Sequence, residues 1–438
     1  MDRKYLFEQW LDAQAAKATS KRKYAKRFIG ERGYPHLDGK LFYPRIGNNI
    51  EQAAWLKEAV TQTDKLKAHP FLPFIRNDQR QRRFREPPHD YVYSSFRGGR
   101  DQKKFPYLKS RPIMYASHRD ACIFSFYSYC LEAEYEKELN ARELQHCIIA
   151  YRSIDGKNNV DFAREAFDEM LKRGEYDCMM LDVKGFFDNL DHKVLWDIWD
   201  AMLPDGFKAN PDQQLIYDRI TTYRYLNNYE AVRALKLNKR KYLFRDKGCF
   251  RLCSLNDYND LLKKSVKQNK SGRGIPQGSP ISGVLANMYL ANFDEGIKKL
   301  VIDEHGGIYQ RYSDDILIIC PIEKAKKIYD EIQLLLSQSK LKLGADKTEV
   351  FRKRATRKRI ENITAEIEPK GKASRKEAQY LGYHFNGETI SFRPSTLSKH
   401  IRKRSRPEYL KNAHKKTSAP NLARQMNKVR RLINSKET

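Results

Sequence analysis

The apolar positions of this chain follow two patterns, and each pattern predicts a different element. Short runs rich in branched or apolar residues, such as Ile316–Ile319 and Cys178–Leu181, are typical of buried strands. Spaced apolar positions, such as Phe7, Trp10 and Leu11, are typical of one face of a helix. A chain of 438 residues that carries both patterns can hold two or three lobes rather than one small domain.

Carboxylates border both of these strands. Asp182 directly follows the first strand, whereas Asp314 and Asp315 directly precede the second, at the tip of a predicted hairpin. Neighbouring carboxylates are costly unless a cation neutralises them, and oxygen ligands favour a divalent metal. Taken alone, the Asp314–Asp315 pair fits a solvated turn equally well. If the two strands are neighbours in one sheet, the three acids form the ligand set for two magnesium ions about 3.5–4 Å apart.

A third motif lies between the two acid motifs. Its Gly and Pro residues set a rigid turn over Gly274–Ser282, and helical spacing follows at Leu285–Leu290. Such a turn exposes backbone N–H groups and the side chain of Gln277 to a ligand. The alternative interpretation is an ordinary connection between a strand and a helix.

The order of these three motifs resembles that of the reverse transcriptases, and in particular the bacterial group II intron and retron enzymes. Further segments resemble motifs of the same family, in the same order, over about residues 105–390. They are Lys109–Ile113 and Ser117–Asp120 of the fingers, Ala150–Arg152, Leu341–Thr348 of the palm, and the primer-grip motif Tyr380–Phe385, in which Tyr380 replaces the usual Phe. The segments 111–131 and 150–167 look most like the unknown-group, defence-associated enzymes of the single-protein class 2 type.

This resemblance implies an α+β fold. It is that of a right-hand polymerase with fingers, a small helical thumb, and a palm made of a ferredoxin-like antiparallel sheet backed by helices. It predicts four domain segments along the chain. They are a basic helical extension at 1–65, fingers and first palm elements at 66–180, a palm at 181–385 with an inserted segment at about 208–270, and a basic helical thumb at 386–438.

The resemblance also implies a role for each acid. Asp182 and Asp314 are each expected to contact both Mg²⁺ ions, for which Mn²⁺ is a possible substitute. Asp315 is expected to be a secondary ligand, and the carbonyl of Val183 to join the ion that carries the triphosphate. The metals would activate the primer 3′-hydroxyl and stabilise the leaving pyrophosphate.

The nucleotide and the primer have their own expected contacts. Phe186 and Phe187 are both expected at the nucleotide, and Phe187 is expected to lie under the sugar and exclude a 2′-hydroxyl. Because the two rings point in opposite directions, one of them is expected to pack inward, so Phe187 could instead be a core residue. Lys109 and Arg111 are expected to hold the triphosphate, unless they are only solvated charges. The other expected contacts are Gln277 and Gly278 at the templating pair or nucleotide, Lys347 at the leaving group, and the primer grip Tyr380, Leu381, Gly382 and Tyr383.

Charge indicates the kind of partner. The net charge is +29, and residues 351–438 carry 24 Lys or Arg against seven Glu and no Asp. Such an excess implies a polyanion. Next to a polymerase palm, it is expected to follow the backbone of a duplex or a folded RNA. The candidate contacts are Arg352, Lys353, Arg354, Arg357, Arg402, Lys403 and Arg404.

Three other functions compete with RNA-directed DNA synthesis. An RNA-dependent RNA polymerase usually carries Gly-Asp-Asp and lacks the aromatic gate, and a silent RNA-binding scaffold has no need of all three acids. A template-independent or protein-primed DNA synthase stays open, as does an intron- or retron-type enzyme without a defence role. The expected partners are a structured non-coding RNA template, dNTPs and the DNA product. The start of the chain has no apolar signal core and no run spans a membrane, so we expect a cytoplasmic protein.

Overall fold

The computed structural model describes residues 2–19, 36–38, 51–83, 107–237, 252–373 and 375–393. The predictions for Arg402, Lys403, Arg404 and most of the expected thumb therefore lie outside the described residues.

Helices account for much of the described chain. In chain order they are α1 (Arg3–Thr19), α2 (Glu51–Thr61), α3 (Thr63–Ala68), α4 (His118–Ala141), α5 (Asn159–Arg173), α6 (Phe186–Asn189), α7 (His192–Met202), α8 (Gly206–Ala209), α9 (Pro211–Thr221), α10 (Asn228–Ala234), α11 (Leu255–Asp257), α12 (Ser282–Tyr289), α13 (Ala291–Lys298), α14 (Ala325–Gln338) and α15 (Thr364–Ile367). Short π turns extend two of them, α11 by Tyr258–Leu262 and α13 by Lys299–Asp303, and 3₁₀ turns cover Lys263–Ser265 and Ala345–Lys347.

Strands form three sheets. In chain order they are β1 (Phe74–Arg83), β2 (Tyr107–Tyr115), β3 (Tyr176–Asp182), β4 (Arg224–Asn227), β5 (Lys267–Gln268), β6 (Ile308–Tyr312), β7 (Asp315–Cys320), β8 (Glu349–Lys353), β9 (Glu361–Asn362), β10 (Ala378–Tyr380), β11 (Tyr383–Phe385) and β12 (Ile390–Phe392). The three sheets have the orders β2-β1-β4-β5, β6-β7-β3-β8-β9 and β10-β11-β12.

The chain divides into two compact units. The first comprises Met1–Glu138 and Phe187–Tyr289, and the second comprises Leu139–Phe186 and Leu290–Thr438. These bounds cut the chain differently from the four expected domain segments, which remain predictions.

The first unit is built on the four-stranded sheet. Its long hairpin pairs β1 with β2 in antiparallel register, whereas β4 runs parallel to β1. Both β4 and β5 come from the inserted segment at about 208–270, so this segment completes the sheet. The N-terminal helix α1 packs here through Phe7 and Trp10, whose rings lie about 6 Å from that of Phe126 in α4.

The second unit is built on the five-stranded antiparallel sheet, in which β3 is the central strand. Every residue of β3 except Asp182 is buried, because α5 covers one face of the sheet and α14 contacts the strand. The small sheet β10-β11-β12 closes the same core, where the rings of Phe167 and Phe385 stack 5.1 Å apart. Continuous burial explains why the β3 and β7 sequences are apolar without alternation.

Candidate active site

The Tyr312–Asp315 motif forms the turn of a tight hairpin in the second unit. Strands β6 and β7 pair in antiparallel register up to Tyr312 and Asp315, so Ser313 and Asp314 are the two turn residues. Ser313 adopts a left-handed backbone with φ 62° and is buried. The predicted hairpin, with a buried strand directly after it, is therefore present.

Asp182 lies directly opposite Asp315. Strands β3 and β7 are neighbours whose register ends at this pair, and the N–H of Val183 donates to the carbonyl of Asp314 at 3.0 Å. Residues opposite each other in antiparallel strands have Cα atoms about 4.5–5.5 Å apart and side chains on the same face. The fold thus brings the three acids, distant along the chain, to one edge of one sheet.

A loop after α14 lies against this edge. Gly344 donates its N–H to the carbonyl of Asp182 at 2.8 Å, and Lys184 donates its N–H to the carbonyl of Lys342 at 2.9 Å. The Lys347 ammonium forms an ion pair with the Asp182 carboxylate. A Cβ atom at Gly344 would lie 3.5 Å from Oδ1 of Asp182 and 3.7 Å from Oδ1 of Asp346. The loop therefore adds one cation and a fourth carboxylate to the edge.

The donor chemistry of the edge suits a hard cation. Carboxylate and carbonyl oxygens are what Mg²⁺ prefers, and an ammonium group already pairs with Asp182. Among the described residues, however, no three His, Cys, Asp or Glu side chains are gathered closely enough to enclose a metal ion. The edge thus provides the ligand types and the shared strand ends, and the metal-ligand roles of Asp182, Val183, Asp314 and Asp315 remain a proposal.

A fully buried ion pair supports the turn. The Arg311 guanidinium donates to both Asp294 oxygens, from Nε at 2.7 Å and from Nη2 at 2.6 Å, and both side chains are fully buried. Tyr309 donates its hydroxyl to the same carboxylate. The guanidinium also donates from Nη1 to the carbonyl of Ser313 at 3.2 Å. Because a buried ion pair is tolerated only in well-satisfied geometry, this cluster fixes the turn that carries Asp314.

A neighbouring segment contacts the other side of the turn. Residues 147–149 run along β6, where Arg311 donates its N–H to Cys147 and Ile149 donates its N–H to Arg311. The chain then turns at Tyr151, whose φ is 60°, and its hydroxyl lies 3.1 Å from Oγ of Ser313. Burial raises the pKa of the Tyr151 hydroxyl, and the Asp314 carboxylate raises it further. Tyr151 thus stays protonated and able to donate a hydrogen bond at neutral pH.

The first unit contains most of the expected nucleotide contacts. The N–H of Met114 donates to the carbonyl of Gln277 at 2.8 Å, which joins β2 to the Pro-Gln-Gly turn. Gly278 has φ 110°, and a Cβ atom there would meet the Met114 carbonyl oxygen at 2.9 Å, so this position favours glycine. The carbonyl of Phe187 accepts from the N–H of Ile275 at 2.9 Å. The structure therefore brings Phe187 and the turn together within this unit.

The fingers residues lie on β2. Arg111 is exposed and pairs in register with Gln79 of β1. Lys109 is part of the same strand, but its side chain lies outside the described residues. The Phe pair begins α6, a short helix rather than a strand, and in it Phe186 is buried whereas Phe187 is partly exposed.

The primer-grip segment forms the turn between β10 and β11. Tyr380 and Tyr383 are buried in the core of the second unit, and the Tyr380 hydroxyl donates to Gln310 at 3.3 Å. Burial, followed by the Asp315 charge, raises the pKa of Tyr380 well above its usual value. The turn residues Leu381 and Gly382 have φ 44° and 95°. The part of this segment that can reach a primer is therefore its turn.

The predicted backbone-binding cations have different surroundings. Arg352 forms a bidentate ion pair with Asp177, with both N–O distances 2.7 Å, and its side chain is mostly buried. Lys353 donates to the carbonyl of Arg357, and Arg357 pairs with Glu361. Arg354 is exposed. Of these four, only Arg354 is both exposed and without an ion pair among the described residues.

Sequence reasoning did not identify several residues that shape the site. Asp294 lies on α13, shortly after the helical segment Leu285–Leu290, Asp346 lies within a motif whose Lys was singled out instead, and Asp177 is the second residue of β3. An acid within an apolar strand, as at Asp177, signals a buried partner, and Arg352 is that partner. No comparable signal marks Asp294 or Tyr151, because their partners are set by tertiary packing.

One region of the chain matches a known protein family. Residues 209–385 match the family described as "Reverse transcriptase (RNA-dependent DNA polymerase)". This region, which contains the Pro-Gln-Gly turn and the Tyr312–Asp315 hairpin but begins after Asp182, is a reverse transcriptase domain. The expected α+β polymerase class is confirmed. The domain is that of an RNA-directed DNA polymerase, a nucleotidyltransferase, and such enzymes generally use divalent metals.

Solved structures give weaker likenesses. Truncated apo telomerase from Candida tropicalis is 12% identical, with TM-score 0.42, over 79% of this chain and 62% of its own. Telomerase from Candida albicans with a fragment of telomeric RNA is 14% identical, with TM-score 0.37, over 77% and 51%. The RNA-dependent RNA polymerase of a human picobirnavirus is 12% identical, with TM-score 0.36, over 72% and 43%.

These likenesses carry no argument about activity, because the identities and the scores are too low. The chain spans 62% or less of the length of these three proteins. No curated protein sequence matches the chain. Within the described residues, no helix is long and apolar enough to cross a membrane.

Proposed function

We propose that the protein copies a structured non-coding RNA into DNA, and that it does so in bacterial defence against phage. The observation that carries the polymerase part is the register of β3 and β7, in which Asp182 faces Asp315 beside Asp314. The match of residues 209–385 to the reverse transcriptase family supports the same reaction. The non-coding RNA, the defence role and a cytoplasmic location rest on the resemblance of segments 111–131 and 150–167 to defence-associated enzymes.

The proposed reaction is nucleotidyl transfer. The primer 3′-oxygen forms a bond to the α-phosphorus of a dNTP, the bond between that phosphorus and pyrophosphate breaks, and the hydroxyl gives its proton to solvent water. Asp182, Asp314, Asp315 and the Val183 carbonyl would hold two Mg²⁺ ions, or Mn²⁺ in their place. When bound, such ions supply charge stabilisation for the attacking and leaving oxygens.

The chain's own residues position the reactants. The buried Arg311–Asp294 pair holds the turn that presents Asp314, so these acids need little rearrangement during the reaction. The Lys347 ammonium pairs with Asp182 and is proposed to donate a proton to the departing pyrophosphate. Arg111 and Lys109 are proposed to bind the triphosphate, and Phe187 to exclude a ribose 2′-hydroxyl.

Two further contacts complete the proposal. Gln277 and Gly278 are proposed to lie against the templating pair or nucleotide, and the Leu381–Gly382 turn to contact the primer. The main alternative is a template-independent or protein-primed DNA synthase. The half-exposed Tyr151, which lies beside the acid turn, is a concrete candidate for a protein hydroxyl in that reaction.

Sequencing of the product tests the proposal. The full-length protein is purified without nuclease, any RNA that survives a high-salt wash is sequenced, and dNTPs are then added. We expect a discrete RNA and DNA complementary to it. A homopolymer joined to protein would contradict templated synthesis, and loss of that product in Tyr151→Phe would assign the priming hydroxyl. Protection against phage that survives Asp314→Ala with Asp315→Ala would contradict a defence role based on synthesis.

A further inference from the structure

The cations at the end of β8 lie far from the acids. Strand β8 pairs with β3 so that Lys353 is opposite Tyr176, whereas Asp182 is at the other end of β3. Six residues of strand separate the two ends, which is about 20 Å at roughly 3.3 Å per residue. The loop that follows β8, residues 354–359, therefore begins at the end of the sheet away from Asp182.

This basic loop has an ordered structure. Its turn is closed by the N–H of Arg357, which donates to the carbonyl of Arg354 at 3.0 Å, and Ala355 donates its N–H to Glu175 at 3.0 Å. Gly387 packs against it so closely that a Cβ atom would lie 3.0 Å from the carbonyl oxygen of Lys358. The loop is thus held by Glu175, which directly precedes β3, and by the turn between β11 and β12.

The cations of this region have two uses. Residues 352–361 contain six Lys or Arg and a single acid. Three of the six build the loop, because Arg352 pairs with Asp177, Lys353 donates to the carbonyl of Arg357, and Arg357 pairs with Glu361. The other three, Arg354, Lys358 and Arg359, are exposed and form no ion pair with a carboxylate of the described chain. A braced loop with three cations that lack internal partners suits an external polyanion.

We propose that Arg354, Lys358 and Arg359 form an RNA anchor, a site that binds phosphates of the RNA away from the reacting nucleotide. This inference rests on the proposed function and names where a second part of its RNA partner binds. A distance of about 20 Å corresponds to roughly six base pairs, so a newly made strand is too short to reach the loop when synthesis begins. The RNA is the polyanion that is present from the start.

Binding measurements test the anchor with the full-length protein. The variant Arg354→Gln/Lys358→Gln/Arg359→Gln is compared with wild type by anisotropy of a labelled stem–loop RNA over a range of salt concentrations. We expect about tenfold weaker binding. The slope of log affinity against log salt should fall by about two to three, since each phosphate contact contributes roughly 0.7 to 0.9.

A matched variant controls for net charge. Lys299, Lys324 and Lys327 are exposed, belong to the same unit and also form no ion pair with a described carboxylate. Lys299→Gln/Lys324→Gln/Lys327→Gln removes the same three charges, and we expect near-wild-type binding. Equal losses in the two triple variants would overturn the anchor, because they would mean that only total charge matters.

Two further measurements separate the anchor from the reaction and from the DNA product. Extension of a short primer–template should be unchanged in the loop variant, and an equal loss there would assign the loop to the reaction instead.

With 4-thiouridine in the RNA, cross-links to residues 353–361 should form before dNTPs are added. Cross-links that form only to DNA after synthesis would overturn the RNA assignment. If wild type makes no DNA yet the loop variant still loses RNA, the proposed function fails while the anchor stands.

Discussion

The two ends of β3 handle charge in opposite ways. At one end Asp182 faces Asp315, with Asp314 next to it and Lys347 as the paired cation. At the other end Asp177 is fully buried and matched by Arg352, and the basic loop follows. Between the ends the strand is apolar and buried. Charge is thus confined to the strand ends, where it can meet solvent or a ligand.

The excess charge at each end of β3 needs a partner from outside the sheet. Acids that exceed their internal partners are stable only when an external cation or solvent balances them, and surplus cations likewise favour an external anion. A buried ion pair supports the backbone at each end. Arg311–Asp294 holds the turn that carries the acids, and Arg352–Asp177 holds the strand that leads into the basic loop. We therefore expect the surplus groups to matter for function, and the buried pairs to matter for stability as well.

Removal of the acids should have the largest effect. We expect Asp314→Ala with Asp315→Ala, and Asp182→Ala alone, to lower the rate of primer extension by more than about 10³-fold, because the ligands for the metals are lost. Extension with dNTPs and Mg²⁺ measures this. RNA affinity should be unchanged, since the basic loop is at the other end of the sheet. Asp330→Ala, at an exposed ion pair on α14, is the control and should retain full activity. Activity in Asp182→Ala would refute the role given to that residue.

Disruption of the buried pairs should have the next largest effect. In Arg311→Gln the fully buried Asp294 loses its partner, which we expect to cost about 3–5 kcal/mol of unfolding free energy and to abolish synthesis. Chemical denaturation followed by circular dichroism measures the loss. Lys326→Gln breaks an exposed pair with Asp330 and should change stability by less than about 1 kcal/mol. Similar losses in both variants would show that the Arg311 pair does not support the turn.

Replacement of Lys347 should distinguish the role of the ammonium at the acid end from the role of the carboxylates. We expect Lys347→Ala to lower kcat about 10²-fold with little change in KM, because a proton donor to the leaving group is lost while the acids remain. Single-nucleotide incorporation under single-turnover conditions measures the chemical step. Lys347→Arg keeps the positive charge but not a ready proton donor. If it restores full activity, Lys347 acts through charge alone.

The acid end was largely predictable from sequence. Apolar runs next to Asp182 and Asp315 predicted two buried strands and a hairpin, and the structure pairs those strands as neighbours. The α+β class was predicted from the resemblance of the motifs to a family, not from these patterns. The strands and the hairpin are local features, because a pattern of consecutive residues is enough to predict a buried strand and the position of a turn.

The ion pairs that support the two ends of β3 could not be predicted from the sequence. Arg311 and Asp294 are seventeen residues apart, and Asp177 and Arg352 are much further apart, so no local pattern links them. Arg352 looked like one of several cations for a nucleic-acid backbone, because a basic run does not reveal which side chains turn inward. The antiparallel register of β3 and β8 is what shows the difference: it places Arg352 opposite Asp177, whereas Arg354 lies beyond the paired residues.

Replacement of Phe187, the residue proposed to exclude the 2′-hydroxyl, should alter the selectivity for dNTPs over NTPs and leave the acid end intact. We expect Phe187→Ala to raise the relative incorporation of NTPs over dNTPs about 10- to 100-fold, because a bulky ring no longer excludes the 2′-hydroxyl. Competition between a dNTP and its NTP measures the ratio. Phe187→Tyr keeps the ring and should keep the preference. An unchanged ratio in Phe187→Ala would show that another residue selects the sugar.

The last expected effect is a contrast within the basic end, between two positions that lie two residues apart. Arg352→Gln leaves the buried Asp177 carboxylate without its partner and should cost about 3 kcal/mol of unfolding free energy. Arg354→Gln removes an exposed charge and should change stability by less than about 0.5 kcal/mol. Denaturation curves and RNA binding of the two variants, measured side by side, check this. Because Arg354 is assigned to RNA and Arg352 to the fold, stability and affinity should be lost separately, and a variant at Arg354 that unfolds the protein would show that its charge supports the sheet.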